Sequence, residues 1–87
     1  MQDMIEMLAT YGASKIVQFG SSLWHKKYRD IDIFVEMPRN DQLIELLKHK
    51  YPIIDLHIGD NWEEFRQSLG ITTYKILLTN QEEAQCL

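Results

Sequence analysis

The chain has 87 residues, 45% of them hydrophobic and 25% charged, and a formal net charge of −4. A chain of this length buries only about 60–65% of the surface it exposes when unfolded, so residues 1–87 are expected to form one domain, and the composition excludes wholesale disorder. The acidic balance withholds the basic surface that drives non-specific nucleic-acid binding, and no apolar run approaches the ~20 residues that span a bilayer.

The amino terminus alternates Met and Ile with Gln, Asp and Glu instead of forming a basic, apolar leader, and the lone cysteine, Cys86, can close no internal disulfide. A cytoplasmic protein is therefore expected. In residues 2–12, QDMIEMLATYG, Met4, Ile5, Leu8 and Tyr11 recur at helical spacing and Gly12 is a natural stop, which predicts a first helix. KIVQFG is short, β-branched and aromatic, and predicts a strand ending at Gly20. SSLWHKKYR has no clean period, but Ser21 or Ser22 is suited to cap a short helix whose first amides point back at the strand end.

DIDIFVEM alternates carboxylate with aliphatic and then turns apolar until Pro38 removes a backbone donor, which predicts a second strand. Asn40 and Asp41 open a helix near 40–50, with Leu43, Ile44 and Leu47 on one stripe and Lys48, His49 and Lys50 at the end where the helix dipole favours cations. After Pro52, IIDLHI predicts a third strand closed by Gly59. Asp60 and Glu63 have the spacing of a capping box for a third helix through about Leu69, with Trp62, Phe65 and Leu69 on its apolar side. Gly70 ends that helix and YKILLT supplies a last strand. The fold class expected from this order is α+β, a small mixed β-sheet with helices packed on one face.

Side chains alternate along a strand, so Ile31, Ile33 and Val35 share one face while Asp30, Asp32 and Phe34 share the other. In the third strand Ile54, Leu56 and Ile58 oppose Ile53, Asp55 and His57. If the two strands are neighbours with their aliphatic sides under the helices, the three aspartates share an open face. Like charges about 4 Å apart repel by about 1 kcal/mol even in water, and by more where water is displaced. Either each aspartate is solvated separately, or the cluster holds a divalent cation beside a phosphate. Gly20 lets backbone approach a ligand closely, and the amides and hydroxyl that follow suit phosphate oxygens, although a simple turn and cap accounts for the same residues. HKKYR, residues 25–29, concentrates three of the nine cationic side chains just ahead of the aspartates.

Taken together, QFGSS, the eight-residue spacer after Ser21, DIDIFV and IIDLHI resemble the minimal nucleotidyltransferase branch of the DNA polymerase β-type nucleotidyltransferase superfamily, over roughly residues 13–78. The resemblance implies a nucleotidyltransferase fold and transfer of a nucleoside monophosphate, AMP from ATP, to a hydroxyl with release of pyrophosphate. It implies that Asp30, Asp32 and Asp55 are the catalytic residues and bind Mg²⁺ or Mn²⁺, and that Gly20, Ser21 and Ser22 hold the nucleotide. The spacer is shorter than usual in that family, and SLWHKK replaces its customary arginine-glycine pair, so Lys26, Lys27 and Arg29 are expected to supply positive charge near the phosphates. Small members often act as antitoxins beside a HEPN-domain toxin, some by adding AMP to a toxin tyrosine; a partner of that kind, or a second subunit, is expected here.

The alternative is a catalytically weak or inactive partner-binding antitoxin or regulatory module of the same fold. His25, His49, His57 and Cys86 are too scattered for a structural zinc pattern. His57 alone falls on the carboxylate face, where it either contacts a metal-bound phosphate or is a rim histidine without a role. Trp24 and Tyr28 suit base stacking or anchoring of the loop, and Trp62, Phe65 and Tyr74 are expected in the core.

Overall fold

The computed structural model describes residues 2–20, 23 and 30–79. Among the described residues seven elements follow one another: α1 (Gln2–Thr10), β1 (Lys15–Phe19), β2 (Ile31–Glu36), α2 (Asp41–Lys50), β3 (Ile54–Gly59), α3 (Trp62–Leu69) and β4 (Tyr74–Thr79). The strands form one mixed sheet ordered β3-β2-β1-β4. β1 is antiparallel to both β2 and β4, whereas β2 and β3 run parallel. Parallel neighbours cannot be joined by a tight turn, and the return from β2 to β3 is made through α2.

The aliphatic face of β2 and β3 is covered as their alternation requires. Met4 and Leu8 of α1 and Leu43 and Leu47 of α2 form one buried cluster with Ile16, Ile33 and Val35, and Ile31, Ile54, Leu56 and Ile58 pack against it. A register irregularity between Ile16 and Val17, where β1 meets β4, lets two successive residues, Leu77 and Leu78, both pack against this cluster.

The sheet is covered on both faces, which corrects the expectation of helices on one face only. Val17, Phe19 and Phe34 alternate out of the aliphatic cluster and form a second one with Trp62, joined by Phe65, Ile71 and Tyr74. The physical reason is Phe34 and Phe19 themselves. A face that carries two phenyl rings beside its carboxylates exposes too much apolar surface to stay bare, and α3 removes it from water. The Trp62 ring lies 5.7 Å from that of Phe19 and 5.4 Å from that of Phe34, centroid to centroid.

The ends of α3 follow from its local sequence. Its cap is Asn61, one residue later than expected, because Asn61 Oδ1 accepts from Glu64 N at 2.9 Å. Glu36, at the end of β2, accepts from Trp62 N at 2.7 Å and so satisfies an amide the helix cannot pair internally. Gly70 closes the helix in the left-handed conformation, φ 71°, with its N–H directed to Arg66 O and Gln67 O. Leu69, expected on the apolar side, is 61% exposed. Among the described residues no helix is long and apolar enough to cross a membrane.

Candidate functional site

The site begins with strand parity. With Ile33 and Leu56 committed to the aliphatic core, Asp32 and Asp55 must emerge on the other face. In the parallel pairing of β2 with β3 these two residues are register partners. Neighbouring strands lie about 4.8 Å apart, so the two carboxylates stand side by side. His57, two residues beyond Asp55, emerges on the same face.

The His57 ring packs against two phenyl rings that also touch each other: it lies 5.4 Å from Phe19 and 5.6 Å from Phe65, and those two are 5.7 Å apart. With its ring against these phenyls, Nε2 faces the carboxylates, 3.6 Å from Asp32 Oδ1 and 3.5 Å from Asp55 Oδ2. These separations are within ion-pair reach, yet Nε2 is shielded from solvent and makes no hydrogen bond. Asp32, Asp55 and His57 each present a ligand atom, and the three atoms lie within 4.8 Å of one another.

Burial raises the Asp32 carboxyl above its usual range, and the Asp55 charge beside it raises it further; the His57 ring opposes both. The Asp32 side chain is 28% exposed and that of Asp55 54%. One carboxylate is thus recessed and the other meets solvent. Two carboxylates and an imidazole converging from adjacent strands form a donor set that suits a small divalent cation, the oxygens for a hard ion and the nitrogen for a transition metal.

The end of β1 reaches the same place. Phe19 is the antiparallel register partner of Asp32, and Gly20 follows it at φ 87°. A Cβ built on Gly20 would collide with Asp32 Oδ2. The end of β1 and the carboxylate of β2 are therefore in direct contact, and glycine at position 20 is what permits it.

Of the residues expected at the site, Asp32, Asp55 and Gly20 come together. Asp30 is exposed just before β2, outside the Asp32–Asp55–His57 group, and lines a neighbouring hollow with Asp55, Ile54, Pro52 and Lys48. Ser21, Ser22, Lys26, Lys27 and Arg29 lie outside the described residues, as do Trp24, Tyr28 and Cys86. Alternation places His57 on this face, but nothing in its spacing reveals the phenyl rings it packs against. Lys48, expected only as a cation at a helix end, is the residue that spacing did not connect with the carboxylates at all.

In comparisons with known proteins, no family model matches the chain, and no curated protein or solved structure matches it significantly.

Proposed function

We propose that the chain is a metal-dependent nucleotidyltransferase that moves a nucleoside monophosphate, AMP from ATP, onto a hydroxyl acceptor and releases pyrophosphate. The observation that carries this reading is the convergence of Asp32 and Asp55, register partners on adjacent strands, with Gly20 packed against Asp32 at the end of β1. The motif resemblance of QFGSS, DIDIFV and IIDLHI supplies the reaction class.

In this reading Asp32 and Asp55 hold Mg²⁺ or Mn²⁺, with Asp30 at the rim. The donor set fits, because a divalent ion offsets both the burial that chiefly raises the Asp32 carboxyl and the repulsion from Asp55 that raises it further. A divalent ion bound there supplies neutralisation of the triphosphate and of the departing pyrophosphate.

The chain's own residues provide the rest. Gly20 lets the end of β1 lie directly against the Asp32 carboxylate, so that a nucleotide held by the following residues has its phosphates beside the metal site. Ser21 and Ser22 bond to those phosphates, and Lys26, Lys27 and Arg29 balance their charge. Asp55, the more exposed carboxylate, is the one to accept the proton of the attacking hydroxyl. A partner protein, of the HEPN-domain toxin kind, brings the acceptor tyrosine, or a second subunit completes the site. This makes the chain an antitoxin that acts by modifying its partner.

ATP labelled on its α-phosphate tests the reading. Incubation with the chain, Mg²⁺ or Mn²⁺ and the protein that co-purifies with it should transfer label to that protein and release pyrophosphate. A stable complex of the two proteins without transfer would instead favour the non-catalytic binding module.

A further inference from the structure

The most unusual atom in the site is His57 Nε2. A buried imidazole nitrogen ordinarily has a hydrogen-bond partner. This one is shielded, faces two carboxylate oxygens at 3.5 and 3.6 Å, and bonds to neither. The ring packs against Phe19 and Phe65, which meet each other beside it.

The separations have a simple interpretation. Two ligand atoms each about 2.1 Å from one tetrahedral ion lie about 3.4 Å apart. The two N···O distances are thus close to the edges of a coordination shell, and wider than a hydrogen bond. An imidazole nitrogen is a good ligand for transition-metal ions and a poor one for Mg²⁺, which demands oxygen and keeps its water.

We propose that His57 is a third metal ligand, joining Asp32 and Asp55 through Nε2, and that it makes the site select a nitrogen-accepting dication, Zn²⁺ or Mn²⁺, over Mg²⁺. This rests on the metal-holding role of Asp32 and Asp55 proposed above and extends it to a nitrogen donor. The phenyl pair has a defined part in it: Phe19 and Phe65 form the apolar surface against which the ring rests with its nitrogen toward the carboxylates.

Calorimetric titration of Zn²⁺ and of Mg²⁺ into the full chain at neutral pH, together with the imidazole nitrogen resonances of His57 during the Zn²⁺ titration, tests the proposal. The expected result is a Zn²⁺-dependent shift at Nε2, and a loss of Zn²⁺ affinity of about tenfold or more in His57→Gln with little change for Mg²⁺. Circular dichroism establishes that the variant folds; the nitrogen signal is read on the unaltered chain and decides the matter even if it does not. An unmoved Nε2 signal, with metal binding still lost in Asp32→Asn and Asp55→Asn, overturns the role of His57 and leaves the two carboxylates as the metal site. Absence of binding by either ion, or binding indifferent to both aspartate substitutions, overturns the metal-holding reading itself and the histidine with it.

Discussion

The carboxylate of Asp32 fills the space that a side chain at residue 20 would need. Gly20 sits at φ 87°, and its absent Cβ would strike Asp32 Oδ2. Two separate penalties therefore oppose any other residue there. A left-handed backbone costs an L side chain about 1–2 kcal/mol, and crowding adds a further ~1–3 kcal/mol when neighbours cannot give way. Gly70 is also left-handed, at φ 71°, but a Cβ there meets nothing within 4 Å. Gly20→Ala is expected to destabilise the fold more than Gly70→Ala, by about 1 kcal/mol or more. Removing the obstructing side chain in Gly20→Ala/Asp32→Ala should recover that difference. Urea unfolding of the four proteins measures it; equal costs for the two glycines would refute the contact.

Asp32 gives the site a pH signature. Burial and the Asp55 charge raise its carboxyl above the ordinary aspartate value of 3.8. The folded chain therefore holds this proton more tightly than the unfolded chain does. Between 3.8 and the raised value the native state binds the extra proton, so in metal-free solution this group's contribution to stability falls as pH rises through that window. Asp32→Asn removes the titration. The variant should be at least as stable as the wild type at neutral pH in chelator, with a flatter stability-pH curve below neutrality, and it should have lost nucleotide transfer. A less stable variant, or an unchanged slope, would show that the carboxylate is not held against its preference.

The aromatic cluster on the carboxylate face has to be structural for His57 to be aimed at all. Trp62 is 1% exposed and touches Phe19, Phe34, Phe65 and Tyr74 through its ring. Trp62→Ala should cost about 3–5 kcal/mol, a large part of the stability of so small a domain. Leu69→Ala, one turn beyond Phe65 and largely in water, should cost under about 0.5 kcal/mol. Thermal unfolding followed by far-ultraviolet circular dichroism separates the two cases. A Leu69 substitution as damaging as that of Trp62 would mean that α3 docks along its whole length.

Much of this was legible in the sequence because strand alternation is a strict rule. Once Ile33 and Leu56 point to the core, Asp32 and Asp55 have no other face to occupy, and the aliphatic cluster under α1 and α2 follows from the same periodicity. The cover on the second face does not follow from the carboxylates of DIDIF alone: Phe34 shares their side, and its apolar surface needs α3 as surely as theirs needs solvent or a cation. The cap moved from Asp60 to Asn61 because Asp60 with Glu63 and Asn61 with Glu64 have equal spacing, and only the approach of Glu36 to Trp62 N selects the later start. Helical spacing placed Leu69 with Trp62 and Phe65, yet spacing cannot say where a helix runs out of neighbours. The aim of His57 Nε2 depends on Phe19, Asp32, Asp55 and Phe65 together, residues of four elements, and no local pattern encodes such a meeting.

Titration of ATP into the chain with Mg²⁺ or Mn²⁺ present, and again in chelator, tests the proposed role of the paired carboxylates most directly. Heat of binding that requires the divalent ion, and that disappears in both Asp32→Asn and Asp55→Asn while the fold persists, is the expected result. ATP binding that is the same with and without metal, or that survives both substitutions, would contradict it.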